Sequence, residues 1–248
     1  MSRELFGNTK KPFSLNLGGS TIYAIFDPRD VSTVFNAGPT LSFDIFLRNI
    51  MHEFGSSRSA TQRVLEVPPP GPHDSRPPKS ISQLAHDFQV EQTSGDQLKR
   101  LCQHIAEFFQ NNMLLEGLGD FVSPSFLIGS DSEQCISLKS WTAEVFIHAG
   151  QNAYFGDQLL KLDPELPQVL MRMDELSWQA FYRYPWFLRP ELNRLSSRIR
   201  HTLERYFQIP SDQRKSHAWF TQSLEKEYRR AGLDGPNIAA QMLFLYWG

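Results

Sequence analysis

The last fifteen residues constrain the fold most, because they predict a helix that is apolar on nearly every side. The stretch Asp234-Gly-Pro-Asn-Ile-Ala-Ala-Gln-Met-Leu-Phe-Leu-Tyr-Trp-Gly248 starts with a capping residue and a proline suited to the first helical turn. From Ile238 onward only Gln241 is polar. Such a helix belongs inside a protein, with other elements around it. Two interpretations are open: Gly248 ends a helix that docks last, or the helix is the first half of a longer one.

The overall composition is that of an ordinary soluble globular protein. Hydrophobic residues make up 40% and charged residues 21% of the 248 positions. The net charge of −2 gives no overall field that would recruit nucleic acid. The two cysteines make no disulfide framework. No signal peptide and no apolar run of membrane-spanning length is visible, so the cytoplasm is the default expectation.

The N-terminal region is predicted to form a β-hairpin followed by short helices. Residues 13–17 and 22–26 alternate between apolar and polar side chains, and Gly18-Gly19 between them suits a two-residue turn. Asp27 and Pro28 begin a predicted helix that runs to about Ala37. Residues 43–54 place apolar side chains at helical spacing.

A proline-rich stretch separates this region from the rest. Six prolines between Glu66 and Pro78 exclude regular hydrogen-bonded structure and predict an extended loop. We therefore predict one domain over 1–248, with the hairpin and short helices in 1–65, the proline-rich loop in 66–80 and a helical body in 81–248.

The remainder of the chain has helical periodicity, so the predicted fold class is mainly α with a short N-terminal β-hairpin (α+β). The helices of the body are predicted over residues 96–115, 138–155, 164–182, 190–207 and 212–231.

Common catalytic signatures are missing from the sequence. It has no phosphate-binding loop, no dinucleotide-binding glycine motif and no nucleophile elbow. His104 and His148 lie in amphipathic segments and are expected to be half-buried structural residues. Cys102 is expected to be a small core residue, and the charged run Glu225–Arg230 a solvated helix face. No catalytic residue and no metal ligand is predicted.

Several motifs, taken in order, resemble the N-terminal half of a cytochrome P-450. The hairpin is followed at once by Asp27-Pro-Arg-Asp-Val-Ser-Thr-Val-Phe35, and Ala153-Tyr-Phe-Gly156 closes a helix. Gln241-Met-Leu-Phe-Leu-Tyr-Trp-Gly248 resembles the start of the long central helix of that family. Within that family, these motifs are most similar in sequence to those of the branch that contains prostacyclin synthases and sterol 7α-hydroxylases, and to those of its fungal relatives.

The resemblance implies a haem-thiolate monooxygenase that oxidises apolar substrates such as sterols or lipids with O₂ and receives electrons from a redox partner. Intact eukaryotic relatives are bound to the endoplasmic reticulum membrane. The cysteine that ligates the iron in this family has no counterpart here: Phe126-Leu-Ile-Gly129 with Cys135 has the wrong spacing. The resemblance therefore implies a fragment, truncated at the start of the central helix, that does not stably bind thiolate-ligated haem and is inactive alone.

The same resemblance suggests site residues. Lys99 or Arg100 is the candidate for the basic residue that meets a haem propionate in relatives, although the family's W-x-x-x-R motif is absent here. Candidate walls of an apolar substrate pocket are Phe43, Phe46, Phe244 and Trp247. The alternative from another class is a non-catalytic, mainly α protein that binds a lipid or a partner.

Overall fold

The computed structural model describes residues 11–17, 20–37, 41, 43–69, 78–113, 127–128, 135–214 and 218–247. Within them the chain is mainly helical with a short antiparallel hairpin near the N-terminus, so the coarse fold class is confirmed. The elements are β1 (Phe13–Leu17), β2 (Ser20–Ala24), α1 (Pro28–Asn36), α2 (Asp44–Glu53), α3 (Arg58–Leu65), α4 (Ile81–Gln92), α5 (Gly95–Asn112), β3 (Leu127–Ile128), β4 (Cys135–Ile136), α6 (Leu138–Phe155), α7 (Gln158–Leu162), α8 (Leu166–Leu176), α9 (Trp178–Phe181), a 3₁₀ turn (Trp186–Leu188), α10 (Pro190–Gln208), α11 (Trp219–Arg230) and α12 (Gly235–Trp247).

The predicted hairpin forms, with a small shift in its second strand. Leu17 pairs with Ser20 and Phe13 with Ala24, so β2 begins two residues earlier than expected. The predicted turn residues, Gly18 and Gly19, lie outside the part of the chain that the structure describes. Asp27 then caps α1 by accepting a hydrogen bond from the amide of Arg29 at 2.9 Å.

The sequence prediction missed α3 and treated 164–182 as one helix. The hydroxyl of Ser57 caps α3 by accepting from the amide of Ala60, and the helix buries only small side chains and Val64. Two helices, α8 and α9, occupy residues 166–181 instead of one, and α7 lies before the predicted helix. The break is at Ser177, whose hydroxyl donates to the carbonyl of Asp174 at 2.7 Å. Before α8, the carboxylate of Asp163 accepts the amide of Glu165 and binds the guanidinium of Arg198.

The closing helix α12 lies in the core, and its most extensive contact is with α10. Its residues Ile238, Ala239, Ala240 and Leu243 are fully buried, and Met242 is nearly so. The facing stripe of α10 is apolar at helical spacing and is buried as well: Leu192, Leu195, Ile199, Leu203, Tyr206 and Phe207. The prediction that this stretch is an interior helix is confirmed.

A single cluster of buried side chains joins the two regions on either side of the proline-rich stretch. Ile50, Phe54 and Val64 belong to the same apolar core as Ile199 and Leu243. Gln241, the one polar residue in the second half of α12, is 1% exposed and donates to the hydroxyl of Ser56 at 2.7 Å. Helices α2 and α3 therefore pack on the helical body through both apolar and polar contacts.

The charged run at 225–230 is not a solvated face throughout, which corrects the sequence interpretation. Glu225 is 6% exposed and accepts from Arg214 at 2.5 Å and from Arg229 at 2.8 Å. Arg214 also lies over the ring of Tyr206, 4.9 Å from its centroid. The helix predicted over 212–231 is shorter, running from Trp219 to Arg230.

None of the described helices combines the length and apolar character needed to cross a lipid bilayer.

We expect Gly55→Ala to lower the free energy of unfolding by more than Gly95→Ala does. Both glycines have positive φ, 90° and 53°, which costs an L-residue about 1–2 kcal/mol. A Cβ on Gly55 would also lie 1.9 Å from the guanidinium of Arg200, whereas nothing lies within 4 Å of one on Gly95.

Urea unfolding of both variants measures the difference. In an Arg200→Ala background, the part of the excess cost that comes from displacing the guanidinium should disappear. An equal loss for the two glycine variants would contradict the close approach of Arg200.

Candidate functional site

The most conspicuous surface feature is a group of exposed aromatic side chains. They belong to the start of α2 and to the segment around α9 and the 3₁₀ turn. We call them the aromatic surface: Phe43, Phe46, Trp178, Tyr182, Tyr184, Trp186 and Phe187. Trp186 is 72% exposed, Phe187 65% and Phe43 63%, so these rings are not part of the core. Large exposed apolar groups of this kind mark interaction sites when they are contiguous.

Ring contacts connect the two parts of the aromatic surface. Phe43 meets Phe46 with 5.0 Å between centroids, and Phe46 stacks in parallel on the half-buried Phe181 at 6.0 Å. Further along, Trp178 meets Tyr184 at 5.8 Å. Because Phe181 lies within α9, the stack joins α2 to the segment that carries the remaining rings.

The loop between α9 and α10 is held by specific backbone hydrogen bonds. The amide of Tyr184 donates to the carbonyl of Gln179 at 2.7 Å, and the amide of Arg183 to that of Ala180 at 3.0 Å. This pattern ends α9 with Arg183 in the left-handed region, at φ 53°. In addition, the side-chain amide of Asn193 in α10 donates to the backbone carbonyl of Trp186 at 2.7 Å. The loop therefore has a defined conformation, and its rings stay exposed.

Charged side chains border this loop at its base. The guanidinium of Arg172 in α8 binds Glu175 at 2.7 Å and Glu191, at the start of α10, at 2.8 Å. Hydrogen bonds from Arg172 lower the pKa of Glu191, so that carboxylate stays ionised. The charge of Arg194 acts on Glu191 as well, so two guanidinium groups balance two carboxylates at this edge.

The residues predicted to wall a substrate pocket lie in different surroundings. Phe43 and Phe46 are on the aromatic surface, open to solvent. Phe244 in α12 is half-buried and packs against the core cluster. The side chain of Trp247 lies outside the part of the chain that the structure describes. Among these four residues, a ring contact joins Phe43 to Phe46.

The predicted propionate-binding residues are both exposed on α5. Lys99 pairs with Asp96 at 3.2 Å, with both side chains at least 80% exposed, and Arg100 is exposed beside it. An exposed pair of this kind contributes little free energy, so Lys99 remains accessible to another anion. His104, on the same helix, is exposed as well, which corrects the expectation of a half-buried side chain.

The thiol that the described residues offer does not fit haem-thiolate chemistry. Cys102 is exposed on α5, so the expectation of a core position is wrong. An axial thiolate works in an enclosed, apolar environment that tunes its electron donation, and Cys102 has none. The side chain of Cys135 lies outside the described part. The described residues contain no group of three His, Cys, Asp or Glu side chains that could hold a metal ion.

A row of buried polar side chains on α6 was not anticipated from the sequence. Glu144 is fully buried, and its carboxyl group accepts a hydrogen bond from the side-chain amide of Gln168 in α8 at 2.6 Å. His148 lies one turn further, 3.9 Å from Glu144, and Gln151 donates to the hydroxyl of Tyr246 in α12. Burial lowers the pKa of His148 to about 4, so the ring is neutral at pH 7 and the expected half-buried, structural histidine is found.

A polar pocket of about 230 Å³ lies where α3 and α12 begin. Its side chains are engaged with one another and with the backbone. Arg63 donates to the carbonyl of Gly232 at 2.9 Å, and Asn237 donates to Asp234 at 2.6 Å and accepts the amide of Ser57 at 2.9 Å. These bonds fasten α12 to α3, and we interpret the pocket as a structural junction.

No protein-family model matches this chain, and no curated protein or solved structure is similar to it at a significant level. The family resemblance therefore rests on the sequence motifs alone.

We expect Arg183→Gly to raise the free energy of unfolding by about 0.5–1 kcal/mol, because glycine adopts a positive φ without the steric cost that arginine has. Arg194→Gly is the matched control: Arg194 is exposed within α10, and there glycine should cost about 1 kcal/mol. Urea denaturation measures both. A destabilising Arg183→Gly would contradict the left-handed conformation at this position.

His148 should make the protein less stable in acid. Its folded-state pKa of about 4 lies below the ordinary 6.5, so from pH 6.5 downward the unfolded chain binds the proton more strongly. The wild type should lose up to about 3 kcal/mol relative to His148→Gln between pH 6.5 and 4. The control is His104→Gln, an exposed position on α5. Parallel pH profiles for wild type and His148→Gln would contradict the burial of this ring.

Proposed function

We propose that this chain forms the substrate-side half of a domain of the cytochrome P-450 type. The proposal is supported by the order of the elements. A hairpin leads directly into α1 behind Asp27, α6 closes at Phe155-Gly156, and an apolar helix follows in the interior. These are the positions of the motifs that resemble the family.

The observation that carries the proposal is the position of α12. It packs on α10, α11 and α2, and its apolar residues from Ile238 to Leu243 are buried. A helix surrounded in this way has the role that the central helix has in the family, where it crosses the distal face of the haem. On this proposal, α2 and α12 would line the space for an apolar substrate, through Phe43, Phe46, Phe244 and Trp247.

On this proposal, haem would contact this chain only through exposed side chains on α5. Lys99 or Arg100 on α5 could meet a propionate, because both side chains are exposed and Lys99 is held only by an exposed partner. The described residues do not fit the iron, since Cys102 is exposed and no ligand cluster is present among them. We therefore derive no oxidation step and propose that the chain alone has no monooxygenase activity. Iron ligation, the redox partner and O₂ activation would belong to sequence beyond these residues.

The first test is the spectrum of the purified chain with haem, dithionite and CO. We expect no Soret band at the red-shifted position of thiolate-ligated haem, because Cys102 lies in water rather than in an enclosed site. Cys102→Ser is the matched control and should leave the spectrum unchanged. The proposal would be contradicted if the wild-type chain gave a red-shifted band and Cys102→Ser removed it, because the chain would then ligate the iron through a thiolate.

The second test is the transcript beyond the codon of Gly248. We expect an open frame that supplies G-x-[DE]-T, E-x-x-R and a cysteine loop, and the protein encoded by the longer frame should give the red-shifted band. A stop codon together with a stably folded 248-residue product would refute the monooxygenase proposal.

The second candidate function is non-catalytic binding of a lipid or a partner. The observation that favours it is the aromatic surface, because seven exposed rings are unusual for a surface without a ligand or partner. Quenching of the exposed tryptophans, Trp178 and Trp186, on addition of the binding partner would report such an interaction. We expect this quenching whether or not the reading frame continues beyond the codon of Gly248.

A further inference from the structure

We propose that Glu144 carries a proton in the folded protein at neutral pH and donates it to the side-chain oxygen of Gln168, which makes the contact between α6 and α8 sensitive to pH. This inference does not depend on the monooxygenase proposal, because it uses only the buried polar row of α6 and the helices that pack on it. Three observations support it: a hydrogen bond, a buried acceptor and the charges around the carboxyl group.

The side chains of Glu144 and Gln168 are already joined by one hydrogen bond. The amide nitrogen of Gln168 donates to Oε1 of Glu144 at 2.6 Å, and Glu144 is fully buried. The oxygen of the same amide is buried too, and no donor among the described residues reaches it. A buried acceptor of this kind costs free energy unless a donor binds it.

A protonated carboxyl group supplies that donor. An ionised carboxylate can only accept hydrogen bonds, whereas a protonated one has an O–H group to donate. With the proton on Oε2, Glu144 would accept from the amide nitrogen of Gln168 through Oε1 and donate to the amide oxygen. Both polar atoms of the amide would then be bonded, and no isolated charge would be removed from water.

The neighbouring imidazole does not supply a positive charge that would stabilise a carboxylate. Nε2 of His148 lies 3.9 Å from Oε1 of Glu144. Burial lowers the pKa of His148 to about 4, so the ring is neutral at pH 7. Burying a carboxylate without a compensating charge is costly, and a buried acid therefore tends to keep its proton.

The ionisable groups of the helices packed on α6, namely α5, α7, α8 and α11, are mostly solvated or bound to other partners. Lys161 of α7 pairs with Asp157, and Arg172 of α8 pairs with Glu175 and Glu191. In α11, Arg214 and Arg229 bind Glu225, and Arg230 pairs with Glu227. The remaining ones on α5, α8 and α11 are exposed, apart from the buried Tyr228: Asp96, Lys99, Arg100, Cys102, His104, Glu107, Asp174 and Lys226.

Two further ionisable groups belong to this neighbourhood. Tyr246 of α12 accepts from Gln151 at the far end of the polar row. Lys139 is in the first turn of α6, and its side chain lies outside the part of the chain that the structure describes.

An internal water is the competing explanation for the buried amide oxygen. The indole nitrogen of Trp141, one turn before Glu144 on α6, is a buried donor that reaches no acceptor among the described residues. A water that accepts from Trp141 and donates to Gln168 would satisfy both groups and leave Glu144 ionised. The two explanations differ by one proton bound to the folded protein, so the pH dependence of unfolding distinguishes them.

The test compares urea unfolding of the wild type and Glu144→Gln between about pH 5.5 and pH 7. The unfolded chain releases the Glu144 proton near pH ~4.3, so its stabilising effect is complete below that value and is lost as the pH rises. The unfolding constant of the wild type relative to Glu144→Gln should therefore rise about tenfold per pH unit, roughly thirtyfold over this range. His148 is present in both proteins, so its own titration cancels. Glu107→Gln, at an exposed position on α5, is the matched control and should show a constant ratio.

A second measurement uses the wild type alone and holds even if Glu144→Gln does not fold. The infrared carbonyl stretch of a protonated carboxylic acid should remain at pH 7, because exposed carboxyl groups are ionised there. The buried carboxylates of Asp163 and Glu225 are each bound to an arginine, so they do not account for such a band. Where the band disappears at higher pH, the hydrogen-exchange protection factors of α8 should fall.

Three outcomes would overturn the proposal. A ratio of unfolding constants that does not change with pH would mean that Glu144 is ionised in the folded protein, as the internal water requires. The absence of an acid carbonyl band at pH 7 would mean the same. Unchanged protection of α8 after the band is lost would show that the proton does not control the contact between α6 and α8.

Discussion

The burial of α12 against α10 is the interaction on which the other parts of the structure depend. Both helices present apolar stripes, and together they supply most of the fully buried side chains at the centre of the core. Polar contacts then fix the position of α12. Gln241 binds the hydroxyl of Ser56, and Asn237 accepts the amide of Ser57. Apolar contacts hold the helix in the interior, and these directional bonds determine its position relative to α2 and α3.

Buried polar groups occur throughout this core, and several of them join one helix to another element. Arg214 and Glu225 join the approach to α11 with α11 itself, while Glu144 and Gln168 join α6 with α8. Burial opposes ionisation of Asp163, but hydrogen bonds and charge from Arg198 outweigh it and lower the pKa of the carboxyl. A buried charge that loses its partner is strongly destabilising, so these pairs fix the helix arrangement rather than simply adding stability.

The surface contrasts with this core. The same chain that buries Glu144 and Glu225 exposes Trp186, Phe187 and Phe43. Exposed rings held by a defined loop indicate binding, because folding alone would favour their burial. The substrate-side proposal rests on the interior helix α12, and it also assigns Phe43 and Phe46 of the aromatic surface to the wall of a substrate pocket.

The strongly periodic helices, the hairpin and the interior position of the last helix could be predicted from the sequence, because each follows from the local spacing of apolar residues and from turn chemistry. Which surfaces of these elements are covered depends on tertiary packing and could not be predicted. Phe43 and Phe46 have the spacing of core residues but lie open, and Cys102 and His104 face solvent although their helix is amphipathic. Glu225, in a charged run, is buried because Arg214 reaches it. Periodicity identifies the apolar side of a helix, whereas long-range packing determines whether another element covers it.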